Sequence, residues 1–163
     1  MAKITDLRSL FLHGLKDLYY AEKQSKKTLS TMTEKATSSD LKTLLQEKQA
    51  VADTHLERLN TVFGIIGEKA EGVPCEAMDG ILKESKELME ETTDAETRDA
   101  AIIFSAQAID HYEITRYGSL ATWAEQLGHT DASGHLGDSL GEAEESDEKL
   151  TRLAEDKLNA KAV

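Results

Sequence analysis

Asp110, His111 and Glu113 stand close together in the middle of "SAQAIDHYEITRYGSLATWA", residues 105 to 124, a stretch otherwise apolar enough to bury more than one face of a helix. A carboxylate buried without a partner costs several kcal/mol, so such groups inside a fold imply a cation, a proton or a metal facing them. Comparable residues recur where leucines would be expected. Glu22 continues the stripe of Leu7, Phe11, Leu15, Leu18, Leu29 and Met32, and Lys48 and His55 share a face with Leu41, Leu45, Ala52, Leu59, Val62 and Ile66. Glu113 and Arg116 are in line with Ile102, Ala106, Ile109, Leu120, Trp123 and Leu127, with Asp110 one turn away on the adjoining face, and Asp147 is in line with Leu136, Leu140, Ala143, Leu150 and Ala154. Carboxylates and imidazoles projecting inward from all four helices of a bundle are the arrangement that holds two iron or manganese ions, because such metals take oxygen and nitrogen donors and offset the burial of negative charge. A stripe read from sequence is uncertain by about half a turn, so any one of these residues alone could sit at a rim. Their coincidence on four stripes is what points inward.

The elements that carry them are helices. The chain has 163 residues, one proline and 39% hydrophobic residues, which fits a single all-α domain over 1–163 with one core. The first helix is expected from about Asp6 to Ala36 with Thr5 or Asp6 as N-cap, and "TSSD" at 37 to 40 breaks it before the second. Gly67, Gly72 and Pro74 mark a loop, and "CEAMDGILKESKELMEE" forms a shorter helix. Thr93 followed by Glu96 has the pattern of a capping box, opening a long helix that Gly128 stops near Leu127. The last helix starts near Asp131, its first half weakened by Gly134, Gly137 and Gly141, and the terminal "NAKAV" is expected to fray. Four long helices with a short one between the second and third make a four-helix bundle with one long crossover.

Thirty-one acidic against 19 basic residues give a net charge of −12, which repels nucleic-acid phosphates and anionic membranes. The single Cys75 allows no intramolecular disulfide and belongs to no zinc-ligand spacing, which suits a reducing cytoplasm. The first residues lack the sustained apolar run of an export signal, and charges interrupt every window long enough to span a bilayer. No glycine-rich phosphate loop or Ser-His-Asp order is present.

"LYYAEKQ", "HLERLNTVFGIIGEK", "CEAM", "RDAAI", "DHYEITRYGSLATWAEQLG" and "SDEKLTRLAEDK" resemble the YciF branch of the bacterial YciE/YciF family of stress proteins, over nearly the whole chain. The resemblance implies a ferritin-like, rubrerythrin-like bundle, a homodimer, and an association with stress responses, without assigning a reaction. Glu22 in "AEKQ", Glu113 in "HYE" and Asp147 in "SDEKL" stand where the family has acidic residues, and Asp110 stands where it has the longer Glu. The second helix departs, with Lys48, Val51 and His55 in place of His, Glu and Gln; the last helix has Ala143 in place of a Glu, flanked by Glu142 and Glu144. The departures imply an altered or partial di-iron-type site.

Two outcomes follow from these residues. In the first, Glu22, His55, Asp110 and Glu113, with Asp147 or Glu144, hold one or two ions of iron or manganese, His55 serving as nitrogen donor. In the second, the Lys48 ammonium fills the metal's place and, with Arg116, neutralises Glu22, Asp110 and Glu113, so that no cofactor is needed and the protein is structural or a binding module. Three carboxylates against one inward cation leave negative charge uncompensated, which favours the first. His111 reads as a surface residue, and Tyr112, beside the acidic cluster, is the aromatic residue of interest.

Overall fold

The computed structural model describes residues 3–163, and among these the chain is helical with no strand. It is the ferritin-like four-helix bundle with an extra crossover helix that the pattern of stripes and breaks implies. Helix α1 (Leu7–Lys35) starts at Asp6, whose carboxylate accepts from Ser9 N–H while the Ser9 hydroxyl oxygen accepts from the Asp6 N–H, a reciprocal cap that selects Asp6 over Thr5. Helix α2 (Ser39–Ile65) follows after three residues, and Asp99 of helix α4 (Ala95–Gln126) clamps that turn. The buried Asp99 carboxylate accepts from Thr37 N–H at 2.8 Å, the Thr37 hydroxyl at 2.7 Å and Ser38 N–H at 2.9 Å, which satisfies donors that would otherwise be orphaned at a helix junction.

Helix α3 (Glu76–Glu91) lies in the crossover and packs on α1 and α4 through Met78, Ser85 and Met89. The chain leading to it passes close over α1: Val73 N–H donates to the Lys16 carbonyl, and a Cβ on Gly72 would come within 3.1 Å of the Tyr20 backbone, so only glycine fits. Helix α4 is capped by Asp94, which accepts from Thr97 N–H, rather than by Thr93 as the Thr93/Glu96 spacing suggests. Asp94 is one residue nearer the helix and has the acceptor geometry without needing Glu96. Packing against α1, α3 and α5 (Thr130–Leu153) accounts for the apolar breadth of α4. Gly128, at φ 81°, ends α4 in the left-handed conformation that glycine adopts without strain.

In the bundle α1 and α2 run antiparallel, as do α4 and α5, and the contact ring is α1–α2–α5–α4. After α5 the chain continues through a single π-helical turn (Ala154–Leu158) into α6 (Asn159–Lys161), tied by buried Ala154 and Leu158 and by Lys157 pairing with Asp40 at 2.8 Å. No helix of the described residues is long and apolar enough to cross a membrane.

Candidate metal centre

The inward ionisable residues meet halfway along the bundle. Lys48 and His55 are seven residues apart and share one face of α2, Asp110, Glu113 and Tyr117 share one face of α4, and Glu22 faces both from α1. Glu22 is 1% exposed, His55 2%, Asp110 0% and Glu113 3%, so each needs compensation inside the protein.

Around Glu22 the network is dense but incomplete. Its Oε1 lies 2.8 Å from His55 Nδ1 and accepts the Tyr117 hydroxyl at 2.7 Å, whereas Oε2 has no partner. The Tyr117 ring also meets the imidazole edge to face, with 5.2 Å between centroids, and so helps to fix its plane. The other imidazole nitrogen, Nε2, is 3.0 Å from Glu142 Oε2, and Glu142 is gripped through both its oxygens by the Arg58 guanidinium. On the far side of Glu113, the Lys48 ammonium sits between Glu113 Oε2, at 3.0 Å, and Asp110 Oδ1, at 2.5 Å, while Ser146 donates to Asp110 Oδ2 at 3.0 Å. Glu113 therefore faces Lys48 on one side and Glu22 with His55 on the other. One ligand atom each of Glu22, His55 and Glu113 lie within 4.8 Å of one another.

Electrostatics follow from burial against these partners. Burial pushes the Glu113 carboxyl up to about 7, opposed by the Lys48 charge, and burial likewise raises Asp110 against the pull of Lys48. Burial alone would depress His55, but its hydrogen bond to Glu22 and that carboxylate's charge prevail and raise it. Lys48 is likewise depressed by burial and lifted further by Glu113 and Asp110, which keeps it an ammonium. The Arg58 hydrogen bonds hold Glu142 below its ordinary value.

A cavity of about 70 Å³ opens from this cluster between α2 and α5. Its walls include Val51, Ala52 and Ala143, and at its mouth Lys149 pairs with Glu145 and Glu47.

Of the residues singled out in the sequence, Glu22, His55, Asp110 and Glu113 converge. Two do not. Glu144 is exposed on the far side of the buried Ala143 of α5, and it is the half-buried Glu142, on the side facing α2, that reaches the cluster. Asp147 faces the outer α4–α5 seam, where it accepts from Gln107 at 3.0 Å and pairs with the exposed His111 at 3.1 Å. Arg116 is exposed and stacks over the Tyr112 ring, so Lys48 and not Arg116 supplies the buried positive charge. Tyr112 points away too, its hydroxyl 3.2 Å from Cys75 Sγ. The aromatic residue of the site is Tyr117, four residues after Glu113 and hence on its face. That spacing was the available signal for Tyr117; Arg58 and Ser146 carried none.

The model of a "domain of unknown function", DUF892, matches residues 6–163. The chain belongs to the DUF892 family. Within it, protein YciF of Escherichia coli K12 is 37% identical over 157 residues, 96% of this chain and 95% of the relative. The crystal structure of the E. coli stress protein YciF superimposes with a TM-score of 0.91 at 36% identity, covering 96% of this chain and 99% of that one. YcfI of Rhodopseudomonas palustris, described as a candidate structural protein, gives 0.89 at 44% identity, over 91% and 95% of the two chains. A Xanthomonas campestris protein with a TM-score of 0.74 and 17% identity, covering 95% of each chain, shares the fold.

Proposed function

We propose that this YciF-type bundle is a metal-binding protein of the stress response, holding one ion of the iron or manganese class at Glu22, His55 and Glu113. Two observations carry the reading together: one ligand atom each of Glu22, His55 and Glu113 lie within 4.8 Å of one another, and the buried Glu22 Oε2 has no hydrogen-bond partner. A buried carboxylate oxygen without a donor costs about 1–3 kcal/mol or more, and a cation at that point removes the cost. The donor set suits a hard or borderline ion. The surroundings suit it as well: the Nε2–H of a ligating imidazole commonly donates to a carboxylate, and Glu142, fixed by Arg58, lies within reach to accept it, so that Nδ1, 2.8 Å from Glu22 Oε1, would turn its lone pair to the ion. An ion of this class, when bound, would supply redox or Lewis-acid chemistry to a small molecule entering between α2 and α5. The chain's own part is to hold the donors in place, with Tyr117 and Glu142 orienting Glu22 and His55. The stress association rests on the relative of that description, and a cytoplasmic homodimer accords with the net charge, the lone cysteine and Phe104, 64% exposed on α4.

A second reading is favoured by Lys48. It already neutralises Asp110 and Glu113, and an imidazolium at His55 would pair with Glu22 and Glu142, giving a metal-free structural or interaction protein. Plasma mass spectrometry on untagged protein, after anaerobic exposure to ferrous iron and separately to manganese, tests the choice. One ion per chain, abolished by Glu22→Gln, is the expected result. Protein that stays empty with both metals would overturn the metal reading in favour of the second.

A further inference from the structure

The inward donors form two adjoining cation positions that share Glu113, and only one of them is available to a metal. We infer that the Lys48 ammonium is the resident cation of the second position, so that the protein holds a single metal ion where its carboxylates could otherwise hold a pair. This rests on the reading of Glu22, His55 and Glu113 as a metal site.

The geometry is specific. Asp110 Oδ1 and Glu113 Oε2 both converge on Lys48 Nζ, at 2.5 and 3.0 Å, and the Lys48 side chain is 6% exposed. Asp110 is held from behind by Ser146 and, among the described residues, makes no hydrogen bond or ion pair with Glu22 or His55; its ion-pair partner is the ammonium. Two buried carboxylates aimed at one point are a cation site, and here a side chain of the protein fills it. Glu113 has its other flank toward Glu22 and His55 and would bridge the two positions. A lysine can occupy such a place because its compact charge pairs with several oxygens at once, which the planar fork of arginine does not do as readily. The ammonium carries one positive charge, cannot change oxidation state and is tethered. The consequence is functional: chemistry that needs two metal ions bridged by a carboxylate would not be available to this chain.

The test compares the wild type with Lys48→Gln and with the double variant Lys48→Gln/Asp110→Asn. Each is equilibrated anaerobically with excess Mn²⁺, freed of unbound ion, and analysed for bound manganese per chain and by electron paramagnetic resonance. Wild type is expected to bind one ion with the six-line signal of isolated Mn²⁺. Lys48→Gln is expected to bind two with a spin-coupled signal, and the double variant to return to one. Two ions or a coupled signal in the wild type would overturn the inference. So would a single ion in Lys48→Gln that retains the wild-type circular dichroism. An empty wild type with one ion in Lys48→Gln would refute the Glu22–His55–Glu113 site but leave the role of Lys48 standing. If Lys48→Gln does not fold without metal, refolding with Mn²⁺ present decides: recovery of folded protein with two ions supports the inference, and no recovery counts against it.

Discussion

Replacing Lys48 by Met in metal-free protein should be among the most damaging single changes in the bundle. Methionine matches the length and apolar stem of lysine, so packing is nearly conserved and the perturbation is electrostatic. The change strands Asp110, 0% exposed, and Glu113, 3% exposed, with only Ser146 left as a donor to either. Removing one member of a buried ionic cluster costs about 3–5 kcal/mol, because the remaining charge keeps its desolvation penalty and loses its compensation. For a domain of this size that corresponds to a fall in Tm of roughly 10 °C. The cost should depend on pH with a definite sign. Without Lys48 the folded-state pKa values of Asp110 and Glu113 rise further, the folded form binds more protons than the unfolded one, and stability falls as pH rises. The variant should therefore lie closest to wild type near pH 5 and furthest from it at pH 8. Urea unfolding with chelator present, read as midpoint and slope, measures this. A loss below about 1 kcal/mol at pH 8, or one that does not change with pH, would refute the claim that Lys48 neutralises a buried acidic pair.

Metal-free wild type should itself lose stability between about pH 5 and 8. Glu113 is raised from 4.5 to about 7, so its contribution is present at low pH and lost between those values, up to about 3 kcal/mol, and raised His55 acts in the same direction as pH passes its folded pKa. Glu113→Gln should flatten the urea-derived stability profile, and an unchanged slope would contradict the assignment. Arg58→Ala frees Glu142 and should weaken Mn²⁺ binding about 10- to 100-fold by calorimetric titration, the usual effect of removing a group that orients a ligand. Asp99→Ala removes three hydrogen bonds at the α1–α2 turn and should cost about 3 kcal/mol in the same unfolding assay while leaving metal stoichiometry unchanged.

The helices and their order were legible because apolar spacing and glycine stops are local signals: Leu15, Leu18 and Leu29 on α1 and Gly128 after α4 needed no tertiary information. The site was legible where a charged residue interrupts an apolar stripe, as at Glu22, Lys48, His55 and Glu113. It was not legible on α5, whose facing seams both take polar residues, so that Asp147 has the right periodicity and the wrong neighbour, Gln107. Glu142 is only half-buried and is fixed by Arg58, a partner 84 residues away in the chain. Arg116 misled for a related reason: it shares the periodicity of the apolar stripe, but it is exposed and its guanidinium lies over the Tyr112 ring.

A metal held at this site requires His55 as a ligand alongside Glu22 and Glu113. Electron spin-echo modulation on anaerobic, Mn²⁺-loaded protein reads that ligand, since a coordinated imidazole imprints nitrogen couplings on the manganese signal. Bound manganese with couplings from one histidine, lost in His55→Gln and preserved in His111→Gln, is the expected result. Bound manganese without nitrogen couplings, or with couplings that survive His55→Gln, would contradict it.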